Sequence, residues 1–150
     1  MGSEQQVKIN LSAPNLVNVC TDRVCNGEIS GRLYHRYSKE PIKFANVIEL
    51  IKEMEGLYDA IGFPQASTKT RSFAEEPERG ENIKRPESVM HPEEVIANTG
   101  LLGTFIVHAR FRQNSTWQGE LYYMEQKESF TFLDILDFIK VIDNSLKQEK

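Results

Sequence analysis

Two stretches of this sequence match each other at a constant offset of 88 residues (119 − 31), without a gap. Residues 31–58 read GRLYHRYSKEPIKFANVIELIKEMEGLY, and residues 119–146 read GELYYMEQKESFTFLDILDFIKVIDNSL. Numbered in the first stretch, the identical positions are Gly31, Leu33, Tyr34, Lys39, Glu40, Phe44, Ile51 and Lys52. Self-similarity at a fixed period is the signature of a repeated structural unit. The sequence therefore predicts a duplicated scaffold.

Each predicted unit is a strand meander followed by a helix. The first unit has strands within residues 31–44 and a helix over about 45–60, in which apolar residues recur three and four apart. The second unit has strands within 105–123, where apolar and polar residues alternate, and a helix over about 132–146 with the same apolar stripe. We predict an α+β fold in which two tandem units share one antiparallel sheet and pack both helices on one face.

The length of 150 residues fits a single domain. We expect this domain, 1–150, to consist of repeats at about 5–62 and 103–147. The connector between them, 63–102, holds four of the six prolines and mixed charges, which is typical of a segment that orders on binding. Within it, the run HPEEVIANTG from His91 has proline and acids in a first turn and glycine after the last, which predicts a short helix.

The formal net charge is −4, which argues against a protein that coats nucleic acid through a uniformly positive surface. The N-terminal run MGSEQQVKINLS has no basic region followed by an apolar run, so no signal peptide is predicted. No apolar run approaches the roughly 20 residues of a membrane span. We therefore expect a cytoplasmic protein without membrane contact, in which Cys20 and Cys25 are reduced thiols.

Strand alternation predicts a basic and aromatic sheet face opposite the helices. If Leu33 and Leu121 point to the helices, their chain neighbours point to the other side. The residues of this candidate binding face are Arg32, Tyr34, Arg36, His108, Arg110, Arg112 and Tyr122. Aromatic rings among arginines suit single-stranded nucleic acid, because bases stack on rings and phosphates meet guanidinium groups. The same face could instead bind an anionic ligand, an acidic protein or a second copy, or be a solvated face with Glu28 and Glu120 pairing the arginines.

The sequence contains no recognisable catalytic or metal-binding constellation. Cys20 and Cys25 lack the CxxC spacing and the second ligand pair of a zinc site. His35, His91 and His108 do not stand at metal-ligand spacing, and there is no GxSxG, HExxH or phosphate-binding glycine loop. We therefore predict no enzyme activity, no cofactor and no metal.

Part of the second unit resembles a known group of proteins. The run RQNSTWQGELYY followed by SFTFLDILDFIKVID, within about residues 105–146, is similar to small uncharacterised bacterial proteins with a WQG-type hairpin and a closing helix. The resemblance implies a bacterial cytosolic protein. It implies no activity and no site residues.

The duplicated scaffold, the connector and the lack of catalytic motifs lead to one functional hypothesis. We expect a small, non-catalytic binding or regulatory module that acts through protein–protein contacts, with another protein or a second copy of itself as the partner. The alternative hypothesis is a single-stranded nucleic-acid binder that uses the basic and aromatic face.

Overall fold

The computed structural model describes residues 11–64 and 87–147. In chain order the elements are β1 (Val17–Cys25), β2 (Glu28–His35), β3 (Ile42–Phe44), α1 (Val47–Ile61), α2 (Pro92–Ile96), β4 (Gly103–Phe111), β5 (Gln118–Tyr123), β6 (Glu128–Phe132) and α3 (Ile135–Lys147). The six strands form one antiparallel sheet in the order β3-β2-β1-β4-β5-β6, which confirms the predicted α+β class and antiparallel sheet. Residues 5–10 of the first predicted repeat and 65–86 of the predicted connector lie outside the described residues. Within the described ranges, no helix is both long enough and apolar enough to cross a bilayer.

Strands β1 and β4 form the centre of the sheet. Their register pairs Val17 with Val107, Asn18 with Ile106 and Val19 with Phe105. Asn18 and Ile106 are themselves 88 residues apart (106 − 18). Each residue of these three pairs therefore has, on the other strand, a counterpart at the same 88-residue offset that is seen in the sequence.

One hydrophobic core connects the sheet to both long helices. It contains side chains from all six strands and from α1 and α3. The ring of Trp117 meets Tyr58 of α1 and Phe138 of α3 edge-on, at centroid distances of 5.4 and 5.5 Å. Burying a large apolar side chain contributes about 1.5–3 kcal/mol, so this shared cluster is the main source of stability for the described part of the chain.

Both long helices begin with the same capping arrangement. Asn46 Oδ1 accepts the N–H of Glu49 at 2.9 Å, and the Glu49 carboxylate accepts the N–H of the residue before the cap at 2.8 Å. Asp134 Oδ1 accepts the N–H of Asp137 at 2.7 Å, and the Asp137 carboxylate accepts the N–H of Leu133, the residue before the cap, at 3.0 Å. These side chains satisfy N–H groups that the first helical turn leaves free, and they fix where each helix starts.

The hairpins on either side of the sheet centre each carry a β-bulge. The pairing of β1 with β2 shifts at Asp22, and the pairing of β4 with β5 shifts at Arg110. An extra residue in one strand reverses the faces of the side chains that follow it. Beyond the second bulge, Phe111 is therefore exposed and Arg112 is buried.

Two glycines allow the strands to approach closely beside these bulges. A Cβ atom on Gly31 would lie 2.0 Å from the carbonyl oxygen of Cys20, and one on Gly119 would lie 2.2 Å from the carbonyl oxygen of His108. Neither position has room for a side chain, because the obstructing atom is backbone.

The second face of the sheet is covered by residues that precede β4. Asn18 Nδ2 donates to the carbonyl oxygens of Val95 and Asn98 at 2.8 and 2.9 Å. The side chain of Val95 packs against Tyr34 on β2. The predicted short helix in this segment is confirmed as α2, but its position over the sheet was not predicted from its sequence.

Candidate functional site

The seven residues of the predicted basic and aromatic face do not form one exposed surface. Tyr34, His108, Arg112 and Tyr122 are buried, Arg32 and Arg36 are half-buried, and Arg110 is exposed. Stacking of bases needs open aromatic faces, and both tyrosines of this set are covered. The structure therefore corrects the expected placement of this face.

Arg112 points towards α1, because the bulge at the end of β4 reverses the alternation. Its guanidinium donates to the carboxylates of Glu55 and Asp59 on α1 at 2.7 and 2.8 Å. Its Nε donates to the carbonyl oxygen of Pro64 at 2.7 Å, and the guanidinium carbon lies 5.6 Å from the ring centre of Tyr58. Arg112 thus fastens the end of β4 to the end of α1.

Arg32 holds the loop that precedes β4. Its Nε and Nη2 donate to the carboxylate of Asp22 at 2.9 and 3.0 Å, and its Nη1 donates to the hydroxyl of Tyr34 at 2.7 Å. Nη2 also donates to the carbonyl oxygen of Thr99 at 2.9 Å. The hydrogen bonds from Arg32 hold the pKa of the Asp22 carboxyl below its usual value. The charge of Arg32 is therefore already paired inside the molecule.

The remaining polar members of the predicted face also have defined surroundings. Arg36 Nη2 donates to the carbonyl oxygen of Ala13 at 3.1 Å, and Arg110 pairs with Glu120 at 3.0 Å. His108 Nδ1 is buried without a hydrogen-bond partner in the described ranges, and burial lowers the pKa of this imidazole. Arg36, Arg110 and His108 therefore do not meet in a common ligand site.

A groove of about 890 Å³ opens beside the tip of the β1–β2 hairpin. Its walls come from the hairpin, from the loop before β4 and from the last turn of α3. Its apolar lining residues are Val24, Leu101, Leu102 and Leu146. This volume lies within the range of clefts that bind ligands in proteins.

Leu101 and Leu102 are exposed although their backbone is firmly held. Leu101 is 83% exposed and Leu102 is 40% exposed. The Leu101 N–H donates to the Asp22 carboxylate at 2.9 Å, and the Leu102 N–H donates to the carbonyl oxygen of Thr21 at 2.8 Å. A Cβ atom on Gly100 would come within 2.6 Å of the Thr21 backbone, so this loop lies tightly against β1. The leucines are therefore held out towards solvent by the loop itself.

A smaller cleft of about 270 Å³ adjoins the groove between α1 and α3. Gly27 and Asp143 line both spaces. Ile29, Val47 and Ile139 provide apolar walls. The apolar surface of the groove thus extends towards the start of α1.

The charged residues around the groove are only partly paired. Asp143 accepts the ammonium of Lys147 at 3.2 Å, and Asp22 is occupied by Arg32 as described above. Arg23 lines the groove, and Lys140 lines the adjoining cleft. Both are exposed and have no ion pair within residues 11–64 and 87–147. The groove therefore combines apolar walls with available positive charge.

The corresponding place at the opposite end of the sheet is filled. Under the 88-residue offset, Val24 corresponds to Arg112, and Tyr58 corresponds to Leu146. There the long side chain of Arg112 lies over Tyr58 and bonds to Pro64. At the groove, the short side chain of Val24 leaves this place open.

Two observations bear on metal binding and thiol reactivity in the described residues. Among residues 11–64 and 87–147, no group of three or more His, Cys, Asp or Glu side chains could hold a metal ion. Burial raises the pKa of the Cys20 thiol to about 12, so this thiol stays protonated. The groove residues offer apolar surface and cationic side chains to a ligand.

The groove is not among the sites predicted from sequence. Its one sequence signal is a pair of adjacent leucines between Gly100 and Gly103, at the end of the proline-rich and charged connector. Nothing in that pattern indicates that the leucines remain exposed. Comparisons of the chain with protein-family models, with curated proteins and with solved structures gave no significant match.

Proposed function

We propose that this chain is a small, non-catalytic binding module that docks an apolar segment of a partner protein in the groove beside Leu101. The observation that carries this proposal is the 83% exposure of Leu101 on a loop fixed by hydrogen bonds. A single exposed leucine needs no explanation. Here Val24, Leu102 and Leu146 surround the same groove, and contiguous apolar surface of this kind marks interaction sites.

We also propose that the scaffold consists of two tandem copies of one strand-meander-plus-helix unit, with both helices on one face of the sheet. Helix caps, bulges and tight glycine contacts that recur 88 residues apart support the duplication. The shared core of α1 and α3 supports the placement of the helices. The copies diverge at the groove, where Val24 and Leu146 stand in place of Arg112 and Tyr58. This divergence supports a function located there.

A protein segment fits this surface better than a small molecule does. A small ligand that contacts Val24 and Leu146 inside the groove would still leave most of Leu101, which is 83% exposed, in water. A peptide that crosses the groove covers all three side chains, as in recognition of an amphipathic segment by an apolar groove.

The partner in this proposal is another protein and not a second copy. Two copies that met groove to groove would bring the cations Arg23 and Lys140 of both chains together, which is unfavourable. A groove that took another patch of the same chain, such as Leu133 and Leu136 with 69% and 60% exposure, would make a head-to-tail contact, which closes into a ring or continues into a filament. The groove-to-groove contact thus brings like charges together, and the head-to-tail contact does not form a simple two-fold dimer.

Selection of a displayed library of random peptides on the full chain tests the proposal. Peptides of about 16 residues allow four helical turns. We expect the enriched peptides to be rich in apolar residues and to bind the Leu101→Asp variant at least about ten-fold more weakly, a loss of about 1.4 kcal/mol. The matched control is Leu136→Asp, which changes an exposed leucine away from the groove and should keep the affinity.

Two outcomes would contradict the proposal. One is a selection without enriched peptides, and the other is a set of peptides that bind the Leu101→Asp variant with unchanged affinity. Sedimentation velocity provides a further check, because a dimer that Leu101→Asp abolishes would replace the external partner by a second copy. Both substitutions are at exposed positions, so thermal unfolding should show that both variants are folded.

Binding of single-stranded nucleic acid stays the alternative proposal. It requires the rings of Tyr34 and Tyr122 to be accessible, and both are buried. Val95 covers Tyr34, whereas Tyr122 packs against Leu16, with Leu11 and Ile96 beside it. These residues would have to leave the sheet before bases could stack there. The exposed Arg110 is the cation that would then make the first contact with phosphate.

A further inference from the structure

We infer that the segment docked in the groove is acidic as well as apolar, so that its apolar side chains contact Val24, Leu102 and Leu146 while its carboxylates meet Arg23 and Lys140. This inference rests on the proposed docking function and deepens it by assigning the charge of the partner.

The unpaired charges beside the groove are cationic within the described residues. Asp22 accepts a bidentate guanidinium and a backbone N–H, and Asp143 accepts the ammonium of Lys147. The acids of the groove lining are thus occupied. In contrast, Arg23 in the groove and Lys140 in the adjoining cleft make no ion pair in the described part of the chain. Apolar walls strengthen the field of the charges between them. An incoming carboxylate is therefore attracted, and an incoming ammonium is repelled.

The place of Arg112 and Tyr58, which corresponds to the groove at the other end of the sheet, has a different set of charges. There a cation, Arg112, lies against two acids, Glu55 at 2.7 Å and Asp59 at 2.8 Å. The residues at the corresponding positions of the groove are Asp143 and Lys147. One acid has thus been replaced by a cation, and the remaining acid is neutralised by it. The groove lacks the pair of acids that would hold a basic side chain.

Salt limits the distance over which the net charge of the chain acts on the groove. The whole chain carries a net charge of −4, which by itself would repel an acidic partner. At physiological salt, exposed charges more than about 8 Å apart are largely screened. A carboxylate in the groove therefore responds mainly to Arg23 and Lys140, and its attraction should increase as salt is lowered.

The peptides enriched by the library selection provide the probe. We expect Asp and Glu to be over-represented beside their apolar residues. One enriched peptide is then compared with a version in which every Asp and Glu is replaced by Asn or Gln. Fluorescence anisotropy at low salt should show that the amide version binds roughly 3- to 10-fold more weakly, the loss expected for one or two exposed ion pairs.

Charge reversal on the protein gives the complementary measurement. The Arg23→Glu/Lys140→Glu variant should weaken the acidic peptide by a similar factor and should prefer a version with Lys in place of its acids. The matched control is Lys52→Glu, which lies on α1 at the position that corresponds to Lys140, and it should leave the affinity unchanged.

The outcomes separate this inference from the function on which it rests. Enriched peptides that are apolar but neutral or basic, or an affinity that the charge variants do not change, would overturn the acidic partner and leave docking in place. A selection without enriched peptides, or binding that Leu101→Asp does not weaken, would overturn docking itself.

Discussion

The carboxylate of Asp22 accepts two hydrogen bonds from the guanidinium of Arg32, at 2.9 and 3.0 Å. At positions 88 residues later, Arg110 and Glu120 form an ion pair with a single hydrogen bond at 3.0 Å and with the charges exchanged. The first pair is the less exposed one, with 26% and 20% of its side chains accessible against 54% and 30% for the second. Only the first pair also holds the loop of Leu101.

Replacing Asp22 by Ala should therefore affect both stability and the loop. We expect the free energy of unfolding to fall by about 1.5–3 kcal/mol, the range for hydrogen bonds to charged groups. The amide of Leu101 should also exchange faster with solvent. Urea unfolding and amide exchange measure these effects. Glu120→Ala is the matched control and should cost at most about 1 kcal/mol, because its pair is largely exposed. Equal costs would contradict the special role of Asp22.

Removal of Arg112 should destabilise the protein far more than removal of Arg110. Arg112→Ala deletes a buried side chain that bonds to Glu55, Asp59 and Pro64. We expect a loss of about 2–3 kcal/mol, because the two acids are partly exposed and stay solvated afterwards. Arg110→Ala should stay within about 0.5 kcal/mol, as surface changes do. Similar urea midpoints for the two variants would show that Arg112 is not buried in solution.

The free energy of unfolding should fall as the pH falls below the ordinary histidine pKa of 6.5. Burial lowers the pKa of both His35 and His108 in the folded chain, and His35 Nδ1 also accepts the N–H of Tyr37 at 3.1 Å. The unfolded chain then binds protons that the folded chain does not, so the stability present at higher pH is lost on acidification. Urea unfolding at about pH 7.5 and about pH 5.5 measures the drop. The His35→Gln/His108→Gln variant should show a smaller drop, and an unchanged drop would assign it to other groups.

The proposed duplication predicts matched responses in the two helices. Met54 and Ile142 are 88 residues apart, and their exposures are 0% and 1%. Truncation of either to Ala should cost about 2–5 kcal/mol. Both changes should lower one cooperative transition, because both side chains belong to one core. Lys52→Ala and Lys140→Ala should each stay within about 0.5 kcal/mol. A second transition in either core variant would mean that the halves unfold independently.

Titration with oligothymidylate at low salt tests the nucleic-acid alternative. We expect no detectable binding, because both tyrosines of the predicted face are buried. Binding that weakens steeply with salt and is lost in the Arg110→Glu variant would favour the alternative. Arg112→Glu is unsuitable for this test, since it would place an acid beside Glu55 and Asp59.

Much of the scaffold could be predicted because burial follows periodicity. The predicted helices at about 45–60 and 132–146 overlap α1 and α3, since an apolar stripe must face a core. The alternation along β4 fails at the bulge of Arg110, for which the local sequence has no distinctive signal, and Arg112 therefore lies on the other side. The cover provided by Val95 depends on contacts with strands far away in the sequence.

The groove could not be predicted for a related reason. Its walls come from Gly27, Leu101 and Leu146, which lie in three separate segments of the chain. Residue type also gives the wrong expectation for Leu101, because leucine is usually buried. Only the hydrogen bonds of the loop before β4 explain its exposure.

The pairing of β1 with β4 has a consequence for how the sheet assembles. Asn18 and Ile106 face each other across 88 residues of chain (106 − 18). Closing a loop of that length costs about 4 kcal/mol plus a constant, and the covalent link keeps this cost independent of protein concentration. If the chain were divided between residues 64 and 87, the central pairing would become a reaction between two molecules. The fragments 1–64 and 87–150 should then regain the sheet only above a threshold concentration, so dilution alone would dissociate them.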